Sequence, residues 1–268
     1  MPNLGVFGER GYDVVDLSEH CIFEEVCYLL LHGNLPNKDQ QISFTNNIIS
    51  KRSLPDSLKI VLETIPKETN PMDVLRTACS FLGNIEPEKS FDNQMHCSER
   101  LLGMFPSALN YWYHFSHSGK KISEENDSKT IAGHFLHTLH GRMPTETEEK
   151  VMNISLILYA EHEFNASTFA ARVCAATLSD FYSCVTGAIG TLRGPLHGGA
   201  NEKAMELISR FEDEESAAKS IYSMLENKEL IMGFGHAVYK KQDPRNDIIK
   251  KWSKKLSVGR PNEKLYDI

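Results

Sequence analysis

Two histidines sit between small residues in the C-terminal third of the sequence: His197 in Arg193-Gly-Pro-Leu-His-Gly-Gly-Ala-Asn201, and His236 in Gly233-Phe-Gly-His-Ala-Val-Tyr-Lys-Lys-Gln-Asp-Pro-Arg245. Small residues at a turn leave room for a ligand on an imidazole and bring backbone N–H groups within reach of it. Asp243-Pro-Arg245 follows His236 closely. It reads either as a helix start or as an arginine whose planar fork clamps a carboxylate beside the histidine. A third polar knot lies at Glu161-His-Glu-Phe-Asn-Ala-Ser-Thr168, centred on His162. Spacing alone fits a helix junction capped by Asn165 and Ser167 as well as it fits a ligand site.

Other candidates carry less. His134, His137 and His140 suggest a metal centre, but only the three-residue pairs share a helix face and Gly141 ends the turn, so no metal is expected. Gly233-Phe-Gly235 lacks the lysine, third glycine and preceding strand of a phosphate loop. Lys240-Lys241, Lys250-Lys251 and Lys254-Lys255 form one locally basic stretch. It reads as a solvated helix face, or as an attractor of a phosphate-bearing substrate towards a site at His236.

These groups must be positioned by a protein of 268 residues with 41% hydrophobic and 24% charged content. That is enough chain for a substantial core, as one large domain with a smaller one attached. A net charge of −7 argues against a nucleic-acid surface. No run approaches the roughly eighteen apolar residues of a membrane span, and Met1-Pro-Asn-Leu-Gly-Val has no signal-peptide character. A cytoplasmic protein without membrane partners is expected. The six cysteines form no C-x-x-C pair and lie in apolar periodic segments, which reads as reduced core packing.

Apolar residues recur at three- and four-residue spacing over Phe23–Leu31, Met72–Leu82, Leu101–Phe115, Ile131–Leu139, Val151–Tyr159, Phe169–Leu178, Ala204–Phe211 and Ile221–Leu225, which predicts helix after helix. Punctuation agrees. Asn70-Pro71 starts one helix, Thr145 with Glu148 makes a capping box, and Gly33 and Gly141 end two others. Strand-like alternation is scarce, so the fold class is all-α.

The segments around His162, His197 and His236, in this order, resemble the citrate synthase family, and within it the 2-methylcitrate synthase group. Further blocks extend the resemblance through almost the whole chain: Arg10-Gly-Tyr-Asp13, Leu31-His-Gly-Asn-Leu-Pro36, Pro71-Met-Asp-Val-Leu-Arg76 and Ile131-Ala-Gly-His-Phe-Leu136. The resemblance implies an all-helical homodimer with a large domain, 1–198, and a smaller one, 199–268, closing over oxaloacetate and an acyl-CoA. It implies a carbon–carbon condensation in which the enol of the thioester attacks the ketone of oxaloacetate, giving 2-methylcitrate or citrate and coenzyme A. The acyl-CoA is a substrate and no cofactor or metal is needed. Propionyl-CoA is favoured over acetyl-CoA through segments such as Phe181-Tyr-Ser-Cys-Val-Thr-Gly-Ala-Ile-Gly-Thr-Leu-Arg-Gly-Pro195.

Carried over by residue, the resemblance makes His197 the group that holds the thioester carbonyl and stabilises the enol, and His236 the group that protonates the ketone oxygen. His162 and Arg245 would bind oxaloacetate carboxylates, with Asn165 and Ser167 in support. The backbone of Met232, Gly233, Phe234, Gly235, Ala237 and Val238 would approach the adenine end of coenzyme A. A helix expected to open at Gly198 would keep the His197 imidazole neutral, which suits an enol.

The family's catalytic base, an aspartate, and two more substrate arginines belong to a segment later than the counterpart of Lys264-Leu-Tyr-Asp-Ile268. The chain is therefore expected to be short at its C-terminus, and at its N-terminus as well, because in the family a strand-like segment leads into the counterpart of Gly8-Glu-Arg-Gly11. Asp180-Phe-Tyr-Ser183 looks like the motif around that base but precedes Arg193-Gly-Pro-Leu-His, where the family has no catalytic role for it. Two expectations follow: part of a condensing enzyme, or an inert helical module that dimerises.

Overall fold

The computed structural model describes residues 8–162, 165–234, 243–261 and 263–268. The chain divides into two compact units, Met1–Thr191 and Leu192–Ile268. Among the described residues the strands are one two-residue antiparallel pair, β1 (Gly8–Glu9) and β2 (Tyr12–Asp13), and everything else regular is helical.

The first unit holds α1 (Val14–His20), α2 (Phe23–His32), α3 (Lys38–Ser50), α4 (Asp56–Thr64), α5 (Pro71–Ile85), α6 (Gln94–Ser118), α7 (Ile131–His140), α8 (Glu146–Leu158), α9 (Ala166–Ala175) and α10 (Phe181–Leu192). Its caps are the ones local chemistry dictates. Asn70 accepts from Met72 N–H ahead of Pro71, Thr145 and Glu148 satisfy each other's backbone N–H groups, and Gly33 and Gly141 close α2 and α7 in the left-handed conformation. At 25 residues α6 spans about 37 Å. It is buried on most of its circumference, from Cys97 through Met104 to Trp112, so the other helices pack around it.

One core cluster joins α4, α5, α6 and α10 through Leu58, Leu62, Val74, Leu82, Met104 and Tyr182. A second joins α1, α2 and α8 through Leu17, Val26, Leu29 and Ile157. Arg100 ties the α3–α4 connection to α6 by donating to the carbonyl of Ser53 at 2.9 Å while its Nε pairs with Glu86 at 2.8 Å. Close backbone approach does the rest. A Cβ at Gly103 would fall 2.6 Å from the carbonyl oxygen of Ile48, so α3 seats on α6 only because the position is glycine.

The second unit holds α11 (Gly199–Ile208), α12 (Glu214–Glu226), α13 (Arg245–Ser257) and α14 (Glu263–Asp267). Asp213 caps α12 through Ser216 N–H, with Glu214 and Glu215 in the first turn where the helix dipole favours acid. Leu207, Ala217 and Ile231 supply its buried apolar contacts.

Candidate functional site

The expected site residues fall into two groups, one on each unit. His162 and Asn165 belong to the first, on the connection from α8 to α9, as does Ser167 in the first turn of α9. Asn165 has extended backbone (φ −64°, ψ 162°) and its Oδ1 accepts the Thr168 N–H at 2.9 Å, which makes it the N-cap of α9. Ser167 donates its hydroxyl to the same oxygen at 2.7 Å. Asn165 and Ser167 are thus brought together at the start of α9 as a helix cap, and His162 is half-buried.

In the second unit the His197 turn is closed by its own backbone. The carbonyl oxygen of Gly194 accepts from His197 N–H at 2.9 Å and from Gly199 N–H at 3.1 Å, and α11 starts immediately afterwards. The two glycines after the histidine are steric requirements. A Cβ on Gly198 would lie 2.6 Å from Leu192 Cδ1, and one on Gly199 would lie 2.6 Å from the Arg193 carbonyl oxygen. A shift of the Leu192 side chain would not relieve the first, because the Leu192 carbonyl oxygen also lies 2.8 Å away, and the second is against backbone outright. His197 thus sits one residue before the N-cap of α11, Gly198, as the sequence predicts.

Met232, Gly233 and Phe234 form a second turn on the same helix. Gly233 has φ +94°, and a Cβ there would meet the Ala204 Cβ of α11 at 3.2 Å. Met232 is half-buried, and Phe234 points an exposed ring to solvent. The same helix α11 therefore carries the His197 turn at its N-terminus and the 232–234 turn against its side. His236, Gly235, Ala237 and Val238 lie outside the described residues.

Arg245 is the first residue of α13. Its guanidinium is held by Asp243, Nε at 3.0 Å from Oδ1 and Nη2 at 2.7 Å from Oδ2. Sequence reasoning took Arg245 as a clamp or a helix start and did not foresee this forked partner two residues earlier; the only signal for it is an acidic residue next to the helix-opening proline.

Asp180 behaves as a structural group. Burial opposes its ionisation, but the Ser183 hydroxyl and backbone N–H both donate to it, at 2.5 and 3.0 Å, and hold its carboxyl below the usual range at the start of α10. A carboxylate stabilised as the anion by its own helix is a poor proton acceptor.

Of the three histidines of α7, His134 is a packed core residue, His137 is half-buried and His140 is exposed. His134 is fully buried, with Nε2 2.9 Å from Ser107 Oγ and Nδ1 2.8 Å from Asn126 Nδ2. Among the described residues no three His, Cys, Asp or Glu side chains gather as a metal site needs, and no helix is long and apolar enough to cross a membrane. Two open clefts of about 380 and 570 Å³ lie beside Phe81 and Thr186 and beside His96 and Tyr182, and none of the expected site residues lines either.

Residues 8–268 match the family model described as citrate synthase, C-terminal domain. The 2-methylcitrate synthase of Shewanella oneidensis is 56% identical over 272 residues, covering 100% of this chain and 72% of that protein. Citrate synthase 2 of Bacillus subtilis is 40% identical over 268 residues, covering 96% of this chain and 70% of its own length. Among solved structures, the ternary complex of carboxymethyl coenzyme A and oxaloacetate with citrate synthase from Thermoplasma acidophilum superposes with a TM-score of 0.89 at 32% identity, covering 96% of this chain and 68% of that one.

Proposed function

This chain belongs to the citrate synthase family, and on that footing we propose that it condenses an acyl-CoA with oxaloacetate, propionyl-CoA being the favoured thioester. In the reaction a carboxylate base takes an α-proton from the thioester, the resulting enol carbon joins the ketone carbon of oxaloacetate as the ketone oxygen is protonated, and water hydrolyses the thioester to release coenzyme A and 2-methylcitrate, or citrate from acetyl-CoA. The observation that carries the reading is the pair of turns on α11. One helix presents His197 at its N-terminus and the Met232–Phe234 turn at Ala204, so a thioester carbonyl and the rest of the same coenzyme A would be gripped by parts of one rigid element.

In this reading the His197 imidazole donates to the thioester oxygen as the enol forms. The N-terminus of α11, next to it, favours the neutral ring over the imidazolium. His236 protonates the ketone oxygen, and His162 and Arg245 bind oxaloacetate carboxylates, with Asn165 and Ser167 in support. Asp180 is not the base, since it caps α10. Acyl-CoA is consumed as substrate, and the scheme calls for no metal or cofactor. A match to an enzyme family over residues 8–268 favours the condensing reading over a module that only dimerises.

The proposal extends to a cytoplasmic homodimer of two-domain subunits, with 1–198 as the large domain and 199–268 as the small one, and without nucleic-acid or membrane partners. What supports the dimer is α9, none of whose residues is buried. Phe169 and Val173, four residues apart on one face, are 65% and 53% exposed, and Leu178 just beyond is 76% exposed. A second copy would cover them.

The test is coenzyme A release by the purified protein with oxaloacetate and either thioester. Faster turnover per unit concentration with propionyl-CoA is the expected result; a preference for acetyl-CoA reverses the choice of thioester, and release without oxaloacetate defeats the condensation.

A further inference from the structure

We propose that Cys174 and Cys184 form a redox modification site, a thiol pair that a low-molecular-weight disulfide converts reversibly into one intramolecular bond. The connection from α9 to α10 assembles the pair. Cys174 lies in the last turn of α9, where its carbonyl oxygen takes the Thr177 N–H at 3.0 Å and the Thr177 hydroxyl at 2.7 Å as the helix ends. Leu178 then adopts the left-handed conformation at φ +62°, and the Asp180 carboxylate accepts the Ser183 N–H at the start of α10. The reversal lays the Cys184 sulfur 3.8 Å from the Ser179 carbonyl oxygen and within hydrogen-bonding reach of the Cys174 thiol. Both cysteines are free.

The two thiols differ in access. Cys184 is 8% exposed, whereas Cys174 is half-buried. Burial first, then the neighbouring Cys174 thiol and the Asp180 and Glu88 carboxylates, hold Cys184 in its protonated form. Cys184 is therefore unreactive by itself, and the oxidant enters at Cys174. Cys174 loses its proton to solvent and its sulfur attacks one sulfur of the small disulfide, whose S–S bond breaks as the first small thiol leaves. Cys184 then gives its proton to solvent, its sulfur attacks the Cys174 sulfur, and the second small thiol leaves. Two protein thiols are oxidised and one small disulfide is reduced, with two electrons passed and no further co-reactant. Because the two sulfurs already adjoin, the second step is intramolecular and outruns the arrival of another small thiol.

One tryptic peptide reads the site. No lysine or arginine falls between Arg172 and Arg193, so peptide 173–193 holds these two cysteines and no other. After the native protein is incubated with glutathione disulfide, mass spectrometry should find that peptide two hydrogens lighter, and dithiothreitol should return it to its starting mass. In Cys184→Ser the peptide should instead carry one glutathione, and in Cys174→Ser it should stay unmodified. A parent peptide that keeps a glutathione adduct overturns the proposal, because Cys184 then fails to resolve it. A peptide that reacts only in urea also overturns it, making both thiols packing groups. Ready glutathione addition to Cys184 in native Cys174→Ser overturns the assigned order of attack and, with it, the site as described.

Discussion

Gly83 of α5 and Tyr182 of α10 are packed so closely that a Cβ at position 83 would sit 2.7 Å from the Tyr182 Cβ and 3.0 Å from its Cγ. The contact seats α10, which runs on to the unit boundary ahead of the His197 turn, against the main core of the first unit. The Sγ of Cys79, on the same face of α5, reaches the Tyr182 carbonyl at 3.7 Å.

Gly83→Ala should therefore destabilise the protein, because the tyrosine stem cannot move without displacing α10. Helix propensity favours the substitution by about 1 kcal/mol, and overpacking costs about 1 to 3 kcal/mol, so the net loss is roughly 0 to 2 kcal/mol. Gly187→Ala, on α10 with nothing within 4 Å of its Cβ, should instead be neutral or stabilising. Urea midpoints of the two variants check this, and a stabilised Gly83→Ala would show that α5 and α10 are less closely packed than described.

The His134 ring gives the protein a specific acid sensitivity. Burial above all, then the charges of Arg52 and His137, push its pKa down to about 3. In the unfolded chain a histidine titrates near 6.5. Between pH 6.5 and 3 the unfolded state holds a proton that the native state refuses. The stability His134 supplies is complete above about pH 6.5 and falls as pH drops towards 3, with a slope approaching about 1.4 kcal/mol per pH unit. His134→Gln should flatten the fall in urea midpoint between pH 7 and 4.5; an equally steep fall in the variant removes His134 as the cause.

Much of the fold could be read from local chemistry, and the reasons are specific. α2, α5, α7 and α8 are bounded by residues whose caps work without tertiary help: Gly33, Asn70 with Pro71, Gly141, and Thr145 with Glu148. α10 gave no helical signal because glycines and β-branched residues crowd it, and the packing of Tyr182 and Ile189 overrides those propensities. α3 and α13 were missed because their polar content hides the period. α9 was expected over Phe169–Leu178 and runs over Ala166–Ala175, because the Asn165 cap starts it earlier. The same cap makes the site legible only in part: a residue type that ends helices and binds ligands leaves the choice open until its partner, Thr168 N–H, is seen. The Asp243 fork was invisible for a similar reason, since two residues of separation carry no pairing rule.

Asn165 offers a direct way to separate those two uses. Asn165→Ala removes the cap and should cost about 1 kcal/mol of stability, while Asn165→Asp keeps an acceptor for Thr168 N–H and should restore it. Thermal melts decide the capping role. If Asn165→Ala melts like the parent, α9 does not depend on this cap.

The exposed face of α9 predicts oligomeric behaviour. The protein should sediment as a dimer at micromolar concentration, and Phe169→Glu combined with Val173→Glu should shift it to monomer, since both side chains are more than half exposed on one face of the helix. Sedimentation velocity reads this. A dimer that survives both charges places the contact elsewhere.

Gly199 is the most demanding test of the His197 turn. A methyl group there would press against two backbone oxygens, 2.6 Å from that of Arg193 and 2.9 Å from that of Gly194, the second of which also accepts the His197 and Gly199 N–H groups. Backbone cannot rotate away as a side chain can, so Gly199→Ala must open the turn and carry the imidazole with it. A displacement of about 1 Å at a reacting group costs on the order of a hundredfold in rate, whereas overpacking of one methyl costs about 1 to 3 kcal/mol of stability. Gly199→Ala should thus keep its fold by circular dichroism at low temperature and lose about two orders of magnitude in kcat, approaching the loss in His197→Ala. Full turnover in Gly199→Ala would mean that the turn tolerates opening, and full turnover in His197→Ala would remove the histidine from the chemistry.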